Sequence, residues 1–155
     1  MLLHASAGSN KSLRSIVKDA YADKTGKVHI VRGDGHDVRI RPERGQVDLD
    51  GPYFAEDGQT VGRAVSFRTD CVTYPIPGLI VVYRAGKVVR LDDGFMVYRW
   101  DFVDKGQHVA VSSGSIHWMH GIHLTLYDAG TGKRLAVWDG EEEETPPEWG
   151  AGVAH

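Results

Sequence analysis

A chain of 155 residues with 41% hydrophobic and 25% charged side chains is long enough for one domain around a single core, and too ordinary in composition for disorder. A net charge of −3, with lysines and arginines scattered along the chain, excludes the concentrated positive charge that nucleic acid requires. No window approaches the roughly eighteen apolar residues of a transmembrane helix, and a single cysteine, Cys71, excludes an intrachain disulfide.

Residues 1–11 are small and polar and are expected to fray. Met1 to Ala7 carries small residues of the kind found at cleavage sites, but its apolar stretch is far too short for a signal peptide. The cytoplasm is therefore the default compartment, with export the alternative if this segment is a trimmed leader. Leu13, Ile16, Val17 and Ala20 recur at helical spacing behind Ser12, which suits an N-cap, so one short helix is expected over residues 12–22. Tyr21 also fits a strand reading.

From Lys27 onward the apolar period is two, with turn chemistry every six to ten residues, which argues antiparallel hairpins. Val28 to Arg32 should pair with Asp37 to Ile40 across Gly33-Asp34-Gly35. Leu79 to Arg84 should pair with Lys87 to Leu91 across Ala85-Gly86, and Phe95 to Val103 with His108 to Ser112 across Asp104-Lys105-Gly106. Ile122 to Asp128 should pair with Arg134 to Trp138 across residues 129–132. Between these hairpins, Tyr74-Pro75-Ile76-Pro77-Gly78 reads as a rigid extended link that either sets strand spacing or presents Tyr74 to a partner. Cys71 is expected to be a buried small hydrophobe. Residues 141–155 open with four consecutive glutamates and continue through Pro146-Pro147, the composition of a solvated tail against which Trp149 alone has the apolar area to dock.

An internal repeat runs through these segments. Phe54-Ala55-Glu56-Asp57-Gly58-Gln59-Thr60-Val61 matches Phe102 to Val109 at an offset of 48. Gly78 to Tyr83, followed by Gly86-Lys87 and Asp93-Gly94, matches Gly121 to Tyr127, followed by Gly132-Lys133 and Asp139-Gly140. Tyr21 to Lys27 is a partial third copy of Tyr127 to Lys133. The expected organisation is thus a single all-β domain over residues 1–140, with complete four-stranded copies at about 50–94 and 95–140, a partial copy at 20–41, and a tail at 141–155.

A four-stranded meander has two faces and gains stability by stacking on a neighbour. Phe102 to Val109, and Leu126-Tyr127-Asp128 followed by Thr131-Gly132-Lys133, resemble the blade of a β-propeller of the WD-repeat or TolB-like kind. The resemblance covers residues 50–140, with a fragment at 20–41. It departs from those families in carrying Tyr-Asp where they carry Trp-Asp, and in having too few blades to close a ring. Two arrangements follow: sheets packed face to face as a compact sandwich, or an incomplete propeller whose open edges pair between chains in a homo-oligomer. The compact one leaves fewer bare edges. The pattern also resembles uncharacterised bacterial proteins with a Thr-Tyr-Pro-Ile-Pro segment, here Thr73 to Pro77, a resemblance that implies no activity.

The most suggestive chemistry is His117-Trp118-Met119-His120-Gly121-Ile122-His123. Three neutral imidazoles suit zinc or copper, yet three-residue spacing on a strand puts successive side chains on opposite faces, so a shared metal requires a loop here. The plainer reading makes the segment a long connection with Trp118 and Met119 capping the core. Arg32-Gly33-Asp34 is an adhesion tripeptide in form, but glycine and aspartate are what a tight turn needs. The acidic pairs Asp48/Asp50, Asp92/Asp93 and Asp139/Glu141 fit turn capping, not a calcium loop. No nucleophile elbow or phosphate loop is present.

Two functional expectations result. The first is a non-catalytic binding or protein-interaction module that needs no cofactor and presents the segments around Cys71–Gly78 and Ser113–His123, with Tyr74, His117, Trp118, His120 and His123 as contacts for a protein or small molecule. The second is a metal-dependent enzyme or metal-binding protein using His117, His120 and His123.

Overall fold

Short apolar runs punctuated by aspartate and glycine leave antiparallel strands as the economical fold, and a computed structural model of the protein is all-β. The structure describes residues 16–116 and 118–154, without the side chains of residues 118–120. Its strands are β1 (Val17–Ala22), β2 (Val28–Arg32), β3 (Asp37–Ile40), β4 (Gln46–Phe54), β5 (Val61–Phe67), β6 (Ile76–Arg84), β7 (Lys87–Leu91), β8 (Met96–Val103), β9 (His108–Ser115), β10 (Trp118–Asp128) and β11 (Arg134–Gly140). They form three antiparallel sheets in chain order, β1-β2-β3, β4-β5-β6-β7 and β8-β9-β10-β11, none closed into a barrel. The four hairpins expected from turn chemistry are β2–β3, β6–β7, β8–β9 and β10–β11. The chain divides into two compact units, one ending at Pro42 and one beginning at Glu43.

In the first unit, the helix expected over residues 12–22 is corrected to strand β1 from Val17 on; residues 12–15 lie outside the described residues. Register explains the misreading. Val17 pairs with Arg32 and Ala20 with Ile30, and a bulge between Val17 and Asp19 takes up the odd residue. Apolar residues three apart thus share one face of a strand, which imitates helical spacing.

On this sheet, His29 stacks on its register partner Tyr21, with ring centroids 4.7 Å apart and planes 4° from parallel. Its Nδ1 lies 2.9 Å from Asp37 Oδ2 and its Nε2 2.8 Å from Asp23 Oδ2. Carboxylates only accept, so this geometry favours the imidazolium, which donates from both nitrogens. The hydrogen bonds that His29 donates to Asp23 and then to Asp37 raise its pKa against the opposing effect of burial. The Thr25 hydroxyl and His29 hold Asp23 below the usual carboxylate range, and His29 and Arg39 lower Asp37.

The His29 contribution to stability is therefore complete below its unfolded pKa of 6.5 and is lost as pH rises through the raised native value. The aspartates contribute above 3.8, and that contribution is lost as pH falls through their lowered native values. Amide exchange of β1–β3, corrected for intrinsic rates, should show the highest opening free energy between those limits and a decline on the alkaline side. A His29→Gln variant should lack the alkaline decline.

In the second unit, β4–β7 and β8–β11 are meanders that match in register. Phe54 pairs with Val61 as Phe102 pairs with Val109. Val61 then pairs with Tyr83 as Val109 pairs with Tyr127, and Ala64 with Ile80 as Ser112 with Leu124. Repeated hairpin chemistry extends to the first unit. Asp23 N donates to Lys27 O and Gly26 N to Asp23 O, just as Asp128 N donates to Lys133 O and Gly132 N to Asp128 O, with one residue fewer in the first turn.

The two four-stranded sheets of the second unit share one core. Ala64, Ile80, Val82 and Leu91 of the earlier sheet pack with Val97, Val109, Val111 and Tyr127 of the later one. Side-chain alternation sends Ala110, Leu124 and Leu126 to the opposite face of the later sheet. The chain end covers that face. After an exposed stretch from Glu141 to Thr145, a 3₁₀ turn at Glu148–Gly150 brings Trp149, Val153 and Ala154 onto these residues. Glycine lets that turn approach closely, since a Cβ at Gly150 would lie 2.6 Å from Leu124 Cδ1 and Leu124 would have to shift.

The repeated first hairpins meet at their tips. Arg84 Nη1 lies 2.7 Å from the carbonyl oxygen of Gly106, 2.8 Å from Thr60 Oγ1 and 3.2 Å from Asp57 Oδ2. Asp57 in turn accepts the backbone N–H groups of Gln59 and Thr60 and the Thr60 hydroxyl. Gly62 of β5 leaves room for two rings of β8, since a Cβ there would sit 2.7 Å from Phe102 Cζ and 2.9 Å from Trp100 Cη2.

Candidate functional site

The segment containing the three histidines is strand from Trp118 on, where a long connection was expected. β10 pairs with β9 at Trp118–Ser115 and again at His123–Ser113, and the register shifts between these points, where Gly121 has φ +75°. His117 lies outside the described residues, as do the side chains of Trp118 and His120. Among the described residues no group of three His, Cys, Asp or Glu side chains is gathered as a metal site. Tyr74, at 59% exposure, stands in the connection between β5 and β6 and is not among the residues lining the cleft at His123. Cys71 corrects an expectation: it is exposed in that same connection, where its backbone N–H donates to Thr69 Oγ1 at 3.3 Å.

His123 is the expected residue that the structure places in a built environment. Register sets it opposite Ser113 of β9 on one side and Asp139 of β11 on the other. Its Nδ1 lies 2.5 Å from Asp139 Oδ1, and because a carboxylate accepts, Nδ1 carries the proton. Nε2 faces the hydroxyl of Thr125 at 3.4 Å, and Thr125 is fully buried. The pair therefore presents no accessible nucleophile at Nε2, unlike a hydrolytic triad. The ring of Phe95 stands 6.0 Å from that of His123.

Beside this pair is a cleft of about 370 Å³ lined by Tyr98, Ser113, Ser115, His123, Asp139 and Glu144, among others. An adjoining hollow of about 460 Å³ shares Tyr98 and His123 and adds Glu142. Two of the hydroxyls here are committed internally: Tyr98 donates to the Ser115 carbonyl at 2.5 Å, and Ser113 to Asp93 Oδ2 at 2.8 Å. The carboxylates of Asp139, Glu141, Glu142 and Glu144 line the two hollows, and among the described residues no lysine or arginine lines them. Such a site accepts hydrogen bonds and favours positive charge.

Sequence reasoning selected His123 but missed Tyr98 and Glu144, and it assigned Asp139 to turn capping. The usable signal was the hairpin itself, because pairing Ile122–Asp128 with Arg134–Trp138 carries His123 opposite Asp139 once the strands are extended. No family model, no curated protein and no solved structure matches the chain.

Proposed function

We propose that the protein is a non-catalytic binding module whose cleft beside His123 takes a positively charged group, an amine or guanidinium, of a small molecule or a protein. The carrying observation is the run of carboxylates around that cleft, with no lysine or arginine in its lining among the described residues. Phe95, 49% exposed and 6.0 Å from the His123 ring, is a nearby aromatic group of the kind that attracts such a charge. We also read the two four-stranded sheets as blades of the WD-repeat or TolB-like kind, a reading supported by their matched register. Rigid stacked sheets of that type hold their loops and strand ends in fixed positions for a ligand.

The test is titration with cadaverine and with arginine methyl ester, followed through backbone amide shifts. Shifts should concentrate at His123, Asp139 and Glu144 and weaken as salt rises. The double variant Asp139→Asn/Glu144→Gln should bind about tenfold more weakly or worse, as expected for losing charge-assisted hydrogen bonds. No shifts with either probe, or unchanged affinity in the double variant, would contradict the proposal.

The second reading is a metal site, supported by Asp139, which holds the proton on Nδ1 of His123 and so leaves Nε2, beside the Thr125 hydroxyl, as the unprotonated nitrogen that a metal would need. Stoichiometric zinc or copper in protein purified without a histidine tag, lost in a His120→Ala variant, would favour this reading over the first.

A further inference from the structure

A second site is formed where β4 and β8, edge strands of the two sheets of the second unit, border a common groove. Its volume is about 570 Å³, and Asp50, Tyr53, Trp100, Asp101, Phe102 and Val153 are in its lining. Tyr53 is 48% exposed, and its ring centroid stands 6.2 Å from that of Trp100 with the planes 55° apart. Phe102 meets Trp100 edge to face at 5.3 Å. These rings are seated firmly, because Gly62 lets Trp100 and Phe102 rest against the β5 backbone.

The polar groups around the rings have both signs. Asp50 accepts the Tyr53 hydroxyl, and Asp101, which is exposed, accepts the Phe102 N–H on Oδ1 at 2.8 Å. Arg99 lines the same groove and is exposed. Two carboxylates in the lining disfavour an anion, and a guanidinium in the same lining disfavours a simple cation. A neutral polyhydroxylated ring satisfies both: its axial C–H groups lie against the electron-rich aromatic faces, while its hydroxyls donate to carboxylate and accept from guanidinium. A concave site with large aromatic walls and a few convergent polar groups is also the general form of a small-ligand pocket. The bulge in β4 between Asp50 and Tyr53 is of the kind that re-aims side chains beside such sites.

We infer that the groove between β4 and β8 binds a neutral pyranose through the rings of Tyr53 and Trp100 and the carboxylate of Asp101. Saturation-transfer difference NMR with cellobiose, maltose and N,N′-diacetylchitobiose tests this on the full chain. At least one sugar should receive saturation at its axial C–H protons and shift the Trp100 indole N–H. Tyr53→Ala and Asp101→Ala should each weaken that binding by about tenfold, and Tyr53→Phe, which keeps the ring, should retain it. Because Tyr53 and Asp101 are exposed, both alanine variants should unfold at the parent temperature, and the thermal transition confirms this. The inference is overturned by absence of transfer to all three sugars, by transfer that survives both alanine variants, or by tetramethylammonium shifting the Trp100 resonance in place of the sugars.

Discussion

Replacing Glu43 with alanine should destabilise the second unit by about 3 kcal/mol, at the level measured when one partner of a buried ion pair is removed. Arg63 lies on β5 with 2% exposure, paired in register with Val81, in a position where a charged side chain is rare. Burial lowers its pKa, Glu43 offsets that effect, and Arg90 works against it. Glu43 Oε1 stands 3.9 Å from Arg63 Nη2 and 2.9 Å from Arg90 Nε, so one carboxylate serves two guanidinium groups. The measurement is the urea midpoint of Glu43→Ala. The double variant Glu43→Ala/Arg63→Met should recover most of the loss, because an apolar side chain of similar length needs no counter-charge. A single variant within about 0.5 kcal/mol of the parent, the range of ordinary surface changes, would show that the carboxylate has no such role.

Gly106→Val should cost a comparable amount, about 3 kcal/mol, from two sources that the repeat allows to be separated. Gly106 has φ +90°, a conformation that strains a branched residue by about 1–3 kcal/mol. A Cβ there would also lie 2.6 Å from Ala55 Cβ and 3.1 Å from Thr60 Oγ1, an overpacking of about 1–3 kcal/mol. Gly58 is its counterpart in the earlier hairpin, with φ +65° and no atom within 4 Å of an added Cβ. Gly58→Val should therefore carry the backbone strain alone. The difference between the two urea midpoints reports the contact between the hairpin tips, and equal losses would mean that the tips do not support each other.

The fold was legible wherever turn chemistry was local. Gly-Asp-Gly at residues 33–35 and Ala-Gly at residues 85–86 fix their hairpins whatever surrounds them. The strand β1 was hidden because its bulge converts a two-residue period into a three-residue one. The return of the chain end was hidden by composition: four glutamates and two prolines dominate, whereas docking depends on Trp149, Val153 and Ala154 with Gly150 fitting over Leu124. At the candidate cleft, His123 was legible by residue type alone. Its partners come from β8, β11 and the segment beyond, and only register and the path after Gly140 bring them together. The aromatic groove left no linear signal, since Tyr53 and Trp100 belong to different repeats and meet only when edge strands of two sheets border one space.

Hydrogen exchange under increasing urea tests the mutual support of the two meanders most directly. Amides of β5 and β6 should open with the same free energy as those of β9 and β10, and Gly106→Val should lower both sets together. Retained protection in one sheet while the other exchanges freely would contradict a shared core.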